Sequence, residues 1–268
     1  MAAPLALMSL LLIVGGLAGV GIFFLLFAGV LGFLSKFYSS EADNMLLEEA
    51  AEAERLAKEQ EEREARERER LEQIEKAKQE RQNYIDNLRT MDKSKVICLD
   101  VETTGLSCDD DEILQLSIID GNNDVLFNEY IKPRQRKRWP KAQEVHGISY
   151  QMVKDKPTID EHIPMLNKII EDAEIIVGYN IDGFDIDFIR AAGVSVPVNK
   201  KTFDVMLEFA EIYGEWNDYH GDYKWQKLAT CAKYYNYENN GQFHDSLEDI
   251  RATLFCYYAM LESNMQPK

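Results

Sequence analysis

A long uncharged segment at the start of the chain constrains the fold more than any other feature. No charged residue occurs between Leu5 and Leu34, and the segment is rich in Leu, Ile, Val, Phe, Ala and Gly. A membrane-spanning helix needs about 20 such residues. A cleavable signal peptide would begin with basic residues and have a shorter apolar core, whereas the first basic residue here is Lys36. The sequence therefore predicts a transmembrane anchor over residues 1–40, with the membrane contacted by residues 5–34.

The residues that follow this segment predict its orientation. Lys36 and the Arg- and Lys-rich residues beyond it lie on the C-terminal side, and basic flanks stay in the cytoplasm. We therefore expect a single-pass membrane protein whose C-terminal part is cytoplasmic. Gly15 and Gly19 form a Gly-x-x-x-Gly pair that would allow two spans to pack closely as a homodimer. Because glycine is common in spans of every kind, a monomeric span stays the alternative.

Residues 41–90 have the composition of a charged helical stalk. The segment is rich in Glu, Arg, Lys, Gln and Ala, which favour helix. No large apolar residue occurs between Lys58 and Arg70, so a sustained coiled-coil seam is missing. A solvated helix is favoured over a disordered spacer, and either would tether the rest of the chain. Apolar residues return near its end and are expected to pack there, with a homodimer through the stalk left open: Leu71, Ile74, Ala77, Tyr84, Ile85 and Leu88.

Charge and cysteine usage exclude several classes of function. The formal net charge is −17, which argues against a broad electrostatic surface for duplex nucleic acid. A narrow site in which cations neutralise phosphates stays compatible with that charge. The four cysteines contain no Cys-x-x-Cys pair, so neither a zinc site nor a redox motif is indicated.

The segment Val96-Ile-Cys-Leu-Asp-Val-Glu-Thr-Thr-Gly105 is the central motif of residues 91–268. It reads as a buried strand that ends with Asp100 and Glu102, which project from the same face. Carboxylates held this close repel one another unless a cation lies between them, and Mg²⁺ takes such oxygen ligands. Taken alone, an Asp-x-Glu pair is more often a solvated strand end. Other motifs in the chain are therefore needed to distinguish a metal site from such a strand end.

The remaining pattern predicts one α/β domain over residues 91–268. Three strands in a meander are followed by strands that alternate with helices, which gives a mixed sheet flanked by helices. The expected strands are 96–105, 112–119, 124–131 and 174–179, and the expected helices are 159–171, 185–192, 224–235 and 246–261.

Two further acidic motifs follow in the chain. Gly178-Tyr-Asn-Ile-Asp-Gly-Phe-Asp185 comes just after a predicted strand, where α/β sheets place their ligands. Asp182, Asp185 and Asp187 are its candidates; Asp185 follows the apolar Phe184, whereas Asp182 suits a helix cap.

The third motif is His244-Asp-Ser-Leu-Glu-Asp249. Asp245 and Glu248 resemble a capping box, which would bring His244 beside Asp249. A plain capped surface helix is the alternative.

Together the three motifs resemble the DEDDh superfamily of 3′–5′ exonucleases, which includes the DnaQ-like epsilon proofreading subunits of bacterial DNA polymerases. The resemblance covers about residues 94–260. It rests on Asp100-Val-Glu-Thr-Thr-Gly105, on Asn180 to Asp185 (one residue longer than usual), and on His244 with Asp249. Val145-His-Gly-Ile148, with Met152-Val and Lys156-Pro-Thr158, matches the family's connecting segment.

The resemblance implies a ribonuclease H-like sheet and two Mg²⁺ or Mn²⁺ ions. The implied metal ligands are Asp100, Glu102, Asp185 and Asp249, with His244 as the catalytic base. Two metals about 3.5–4 Å apart stabilise both oxygens of a phosphoryl displacement, and an imidazole of pKa near 6.5 suits a base at neutral pH. The implied substrate-binding residues are Thr103, Leu106 and His146.

The only strongly basic run is Arg134-Gln-Arg-Lys-Arg-Trp-Pro-Lys141. It would either guide a single strand, with Trp139 as a stacking surface, or be a solvated loop.

The sequence thus predicts a membrane-anchored, metal-dependent 3′–5′ exonuclease that releases nucleoside monophosphates from single-stranded 3′ ends, with DNA preferred. RNA trimming is the alternative enzymatic activity. Contacts to the 2′-hydroxyl distinguish RNA from DNA, and the motifs do not identify such contacts. A further alternative is an anchored interaction module with incidental nuclease activity. A separate DNA polymerase is a candidate partner.

Overall fold

The computed structural model describes the backbone of residues 17–238 and 245–266, and side chains from residue 24 onward in those ranges. The chain divides into two compact units, Met1–Ala77 and Lys78–Lys268. A single helix, α1 (Leu17–Thr90), contributes residues to both. The unit that contains the sheet therefore begins at Lys78, earlier than the boundary at residue 91 expected from composition.

The first unit is helical wherever the structure describes it. All side chains from residue 24 to residue 77 are exposed, including the apolar ones. Among the described residues, no helix has an apolar stretch long enough to cross a membrane. The first part of the predicted span, residues 5–16, lies outside the described residues. Gly15, one of the two glycines expected at a span dimer, lies outside them too.

The second unit is a mixed sheet with helices on both faces. In chain order the elements are β1 (Val96–Thr103), β2 (Ile113–Asp120), β3 (Val125–Tyr130), α2 (Pro140–His146), α3 (Tyr150–Val153), α4 (Ile159–Asp172), β4 (Ile175–Gly178), a π-helical turn (Ile181–Asp185), α5 (Ile186–Ala191), β5 (Lys201–Asp204), α6 (Val205–Tyr213), β6 (Trp216–Asn217), β7 (Asp222–Tyr223), α7 (Leu228–Tyr234) and α8 (Ser246–Glu262). The main sheet has the strand order β3-β2-β1-β4-β5, with β1, β2 and β3 antiparallel and β1, β4 and β5 parallel, and β6 pairs with β7 separately. The predicted mixed α/β sheet is confirmed.

The two faces of β1 belong to different cores. Cys98 packs with residues of α8, including Ile250, whereas Ile97 and Leu99 pack on the opposite face with residues of α4 and α5. Burial on both faces explains why this strand is apolar along most of its length.

The last residues of α1 belong to the core beneath α8. Ile85 and Leu88 are buried in the same cluster as residues of α6, α7 and α8. Arg81 pairs with Glu208 of α6, and Arg89 donates to the carbonyl of Leu261. The other apolar residues expected to pack in this region, Leu71, Ile74, Ala77 and Tyr84, are exposed.

Several local features differ from the sequence prediction, and among them α2, α3, β6 and β7 were not predicted. The helix expected from Lys224 begins only at Leu228, because the backbone N–H of Lys224 donates to the carbonyl of Glu215 and closes a hairpin. Strand β5 and helix α6 were not predicted. β5 has only four residues, too few for a periodic pattern, and it is a strand because the free edge of β4 pairs with it.

Candidate active site

The end of β1 presents Asp100 and Glu102 on the face covered by α8. Cys98 belongs to the core on that side, and its Sγ lies 3.5 Å from the carbonyl oxygen of Ile250. Because side chains alternate along a strand, Asp100 and Glu102 project from the same face as Cys98. Both carboxylates are partly buried. The start of α8 is therefore the element that meets them.

Helix α8 begins with the cap that the sequence predicted. The carboxylate of Asp245 accepts a hydrogen bond from the backbone N–H of Leu247 at 3.0 Å. Glu248 does not complete a capping box; its carboxylate instead accepts from Arg251 at 2.6 Å. His244, the predicted base, lies outside the described residues.

A pair of buried serines fixes the start of α8 against the sheet. Ser117 lies opposite Asp100 in the β1–β2 ladder, and its hydroxyl shares a hydrogen bond with that of Ser246, the first residue of α8. Both serines are fully buried. This contact fixes the first turn of α8, including Asp249, at the level of Asp100. Sequence reasoning missed it, since a serine carries no local signal for so distant a partner.

Asp185 enters the site from the second motif. Its Oδ1 accepts a hydrogen bond of 2.9 Å from the backbone N–H of Val101, between the two acidic residues of β1. The parallel ladder between β1 and β4 ends at Cys98 and Val177, so beyond it the edge of β1 is open to this carboxylate. Asp185 is buried, and the preceding Phe184 packs into the core with Phe188, as the sequence suggested.

The other two candidates of the second motif do not share this position. Asp182 and Asp187 are both exposed. The carboxylate of Asp187 lies 4.0 Å from the guanidinium of Arg190 one turn later. Among the three, only Asp185 reaches β1.

A further carboxylate, that of Asp204 at the end of β5, holds the second motif in place. Its side chain accepts hydrogen bonds from the backbone N–H groups of Asn180 at 3.1 Å and Asp182 at 3.5 Å. It also caps α6 by accepting from Met206 and Leu207. Burial raises the pKa of Asp204, and these N–H groups oppose the rise. An Asp before an apolar helical run is a cap signal that would have located α6.

The acidic residues raise one another's pKa. Burial is the largest cause for Asp100, whose pKa lies well above its ordinary value, followed by the charges of Asp185, Glu102 and Asp249. Burial, and then Asp249 and Asp245, raise the pKa of Glu102 from 4.5 to about 8. The pKa of Asp185 is also well raised by burial, while the N–H of Val101 opposes the rise. The carboxylates that influence one another's pKa come from three elements: β1, the turn of Asp185 and α8.

The donor set fits hard divalent cations. Carboxylate oxygens are the ligands that Mg²⁺ and Mn²⁺ prefer, and repulsion among carboxylates of raised pKa would be relieved by positive charge. Within residues 17–238 and 245–266, no three His, Cys, Asp or Glu side chains already converge as metal ligands. Repulsion between like charges keeps these carboxylates apart, and the Oδ1 of Asp185 accepts a hydrogen bond from a backbone N–H. The chemistry of these carboxylates fits such ligands, and their assignment as metal ligands stays a prediction.

The family comparison decides the class of this site. The RNase T exonuclease family model matches residues 97–257, more than half of the 268 residues. This chain belongs to the exonuclease family. It carries an exonuclease domain of the 3′–5′ type within the DEDDh superfamily, which confirms the family resemblance.

Curated relatives of the exonuclease domain are much longer proteins. The chain is 27% identical over 175 residues to DNA polymerase III PolC-type of Caldanaerobacter subterraneus, which is 63% of this chain and 12% of that protein. It is 35% identical over 104 residues to the PolC-type polymerase of Thermotoga maritima, covering 38% of this chain and 7% of that one. The chain thus spans only a small part of these relatives.

Solved structures share the fold. E. coli exonuclease I in complex with a dA16 oligonucleotide has a TM-score of 0.51 and 20% identity, covering 63% of this chain and 41% of that one. A zinc-bound exonuclease I–single-stranded DNA complex has the same score and identity, with 63% and 40% covered. At this level of identity the likeness concerns the fold.

Leu106 lies exposed on a loop of the exonuclease domain that hydrogen bonds stabilise. Leu106 is 88% exposed, an unusual position for a large apolar side chain. Asp111 braces the loop by accepting from the Thr104 hydroxyl at 3.0 Å and the Ser107 N–H at 3.2 Å. A Cβ at Gly105 would overlap the same carboxylate, so any larger residue there would displace Asp111 from the loop. Leu106 is held outward, as the predicted contact with a terminal base requires.

The other two predicted substrate residues are engaged in hydrogen bonds within the domain. Thr103 is buried, and its hydroxyl donates to the carbonyl of Gly105 at 2.5 Å. His146 Nδ1 accepts from the Ile148 N–H at 3.0 Å, which leaves Nε2–H to donate to the carbonyl of Thr103 at 3.1 Å. His146 therefore supports the end of β1 from α2.

The basic run is an exposed loop over residues 134–138, which is one of its two predicted forms. Trp139 is buried, and its indole N–H donates to the carbonyl of Ile148 at 2.7 Å; the predicted stacking surface is wrong. Arg134 pairs with Asp160 at 2.7 Å, and Arg136 pairs with Asp111 at 3.3 Å. These two arginines line a cavity of about 440 Å³ that none of the acidic motif residues borders. The two salt bridges stabilise loops, including the loop that carries Leu106.

The raised pKa of Glu102 predicts a pH dependence of stability without metal. An acid whose pKa is higher in the folded protein contributes stability at low pH, which is lost as the pH rises through the folded value. Between pH 4.5 and about 8, the wild type should therefore lose stability relative to Glu102→Gln. We expect a difference on the order of 2 kcal/mol by pH 9, since one pKa unit is about 1.4 kcal/mol and solvent access reduces the full value.

Urea unfolding in chelator at pH 4, 6.5 and 9 measures this difference. Asp187→Asn, which removes an exposed carboxylate, is the matched control. Parallel pH profiles for Glu102→Gln and the wild type would contradict the expectation.

Proposed function

We propose that this chain is a membrane-anchored, metal-dependent 3′–5′ exonuclease that hydrolyses phosphodiester bonds at single-stranded 3′ ends and releases nucleoside monophosphates. The observation that carries the proposal is the hydrogen bond from the Val101 N–H to Asp185, which brings the second acidic motif to β1 between Asp100 and Glu102. The charge of Asp249 raises the pKa of both Asp100 and Glu102. An acidic site of this kind attracts phosphate only when cations occupy it.

Each residue has a proposed role. Asp100, Glu102, Asp185 and Asp249 hold two Mg²⁺ or Mn²⁺ ions. When bound, such ions supply an activated water and stabilise the departing 3′ oxygen. His244 takes the proton of the attacking water, which an imidazole of ordinary pKa does well near neutral pH.

The 3′-terminal nucleotide is proposed to lie against the Thr103–Leu106 loop. Leu106 is exposed and would contact the terminal base. Thr103 shapes the loop through its bond to Gly105, and His146 supports the same strand end. Their role is to place the last phosphodiester bond beside the carboxylates.

Single-stranded DNA is the favoured substrate. Exonuclease I, which shares the fold, has been solved with a dA16 oligonucleotide and with single-stranded DNA and zinc. The PolC-type relatives are DNA polymerases by name, so a polymerase is the proposed partner class if one is needed. RNA trimming is the competing activity.

Membrane anchoring is proposed from the sequence of residues 5–34. The support is the uncharged run, the basic residues that begin at Lys36, and the exposure of the described apolar side chains in that region, such as Leu25 and Phe33. The exonuclease domain would then act on the cytoplasmic side. A homodimer through the span or stalk stays a prediction.

The test is an assay on 5′-labelled single-stranded DNA and RNA with Mg²⁺, Mn²⁺ or chelator. We expect a metal-dependent ladder that shortens from the 3′ end, and activity that sediments with carbonate-washed membranes. His244→Asn should lower kcat about 10²- to 10⁴-fold, the usual contribution of a general base, and remove the acid limb of the pH profile.

Three results would contradict parts of this proposal. A folded, metal-loaded protein without activity on either polymer would favour an interaction module. Faster hydrolysis of RNA would assign the alternative substrate. Activity that remains in the wash would exclude the anchor.

A further inference from the structure

A hairpin between α6 and α7 exposes an unusual number of aromatic rings. Trp216 is 52% exposed, Tyr219 is 90% exposed and Trp225 is 64% exposed. Fully burying a large apolar side chain stabilises a protein by about 1.5–3 kcal/mol, and a cluster left in solvent commonly marks a binding surface. None of these residues belongs to the acidic motifs.

The hairpin is ordered by contacts at its base. The Glu215 carboxylate pairs with the Lys224 ammonium at 2.6 Å and accepts from the Gln226 amide at 3.2 Å. The Trp216 and Tyr223 rings pack edge to face at 5.2 Å. The exposed rings are therefore displayed by a formed hairpin, which lowers the conformational entropy lost when they bind a ligand.

The hairpin segment is connected to the second acidic motif indirectly through α6 and directly by one hydrogen bond. On one side, Asp204 caps α6 and also accepts from the N–H of Asn180. On the other side, the Tyr179 hydroxyl donates to the carbonyl of Gln226 at 2.7 Å, next to Trp225. Trp225 therefore precedes the residue that anchors the hairpin segment to the second acidic motif.

The chemistry of the rings favours bases over phosphates. Aromatic side chains stack on unpaired bases of any sequence. The nearby carboxylates, Asp218 and Asp222, would repel a phosphate chain, and Lys224 is already paired with Glu215. A ligand here must offer flat apolar faces and carry its charge away from the hairpin, as an unstacked single strand does.

We propose that the Trp216–Trp225 hairpin is a stacking surface for the bases of the single strand that leads to the acidic site. The proposal rests on the exonuclease function proposed above and assigns a binding surface to it. Stacking would hold nucleotides upstream of the 3′ end and raise affinity for longer strands.

Steady-state kinetics of the full chain tests this surface. For Tyr219→Ala/Trp225→Ala we expect KM for a single-stranded 12-mer to rise about 10- to 100-fold, from the usual contribution of a base–aromatic stack. The slope of log KM against log salt should not change, because no phosphate contact is lost. Thymidine 5′-p-nitrophenyl phosphate, which has no upstream bases, should be cleaved as by the wild type. Tyr219→Phe/Trp225→Phe should restore the KM for the 12-mer.

Tryptophan fluorescence gives a readout that needs no catalysis. The chain has three tryptophans, and Trp139 is buried, so Trp216 and Trp225 report on the hairpin. Oligo-dT or oligo-rU added in chelator should quench the emission, whereas Trp216→Phe/Trp225→Phe should show no quenching.

The outcomes separate the two proposals. Quenching without hydrolysis would leave the stacking surface and overturn the exonuclease function. Hydrolysis without quenching, an unchanged KM for the 12-mer, or equal losses on the 12-mer and the small ester would overturn the stacking surface.

Discussion

Asp100→Asn should reduce hydrolysis of single-stranded DNA by at least about 10³-fold. Each 1.36 kcal/mol of barrier is a factor of ten, and bound metal ions contribute several kcal/mol to transition-state stabilisation. Asp100 is the carboxylate whose pKa is raised by all three of the other proposed ligands, after burial. The amide would keep the shape of the side chain and remove the charge that holds the cations.

The measurement is the initial rate at saturating Mg²⁺ or Mn²⁺, together with a calorimetric titration of the metal. Asp182→Asn is the matched control, because Asp182 lies on the turn of Asp185 but is exposed; its rate should stay within about twofold of the wild type, as for most surface substitutions. The Asn variant should unfold at the same or a higher temperature without metal, since it relieves like-charge repulsion. An active Asp100→Asn protein would refute the proposed site.

Ile85→Ala/Leu88→Ala should destabilise the exonuclease domain severely. Both side chains are buried, at 2% exposure each, in the core shared with α6 and α8. Truncating a buried Ile or Leu to Ala costs about 2–5 kcal/mol, so two truncations approach the whole stability of an ordinary domain, about 5–15 kcal/mol. The stalk is then more than a tether, because its last turns complete the fold.

Urea unfolding followed by tryptophan fluorescence measures this loss, since all three tryptophans lie in the sheet-containing unit. Leu71→Ala/Ile74→Ala is the matched control, because these residues lie on the same helix and are exposed; its midpoint should equal that of the wild type. A fragment that begins at residue 91 should unfold more easily than one that begins at Lys78. Equal midpoints for the two double variants would contradict this assignment.

Local patterns predicted the parts of the site that depend on neighbours in the chain. Asp100 and Glu102 share a face because a strand has a period of two residues. Asp245 caps α8 because a carboxylate accepts from the N–H groups of the first turn, and the bond to Leu247 confirms it. The family resemblance selected Asp185 among three candidates, and the apolar residue before it packs as expected.

Long-range contacts decided the rest. The sequence by itself determined the mixed sheet, the family and the positions of the acidic motifs, because periodicity, caps and motif spacing are local properties. Only the tertiary structure showed that Asp204 holds the second motif, that Ser117 fixes the start of α8, and that Trp139 is buried. Each depends on a partner brought close by the fold, and the free energy of such a contact is set by burial and geometry that no short stretch of sequence encodes.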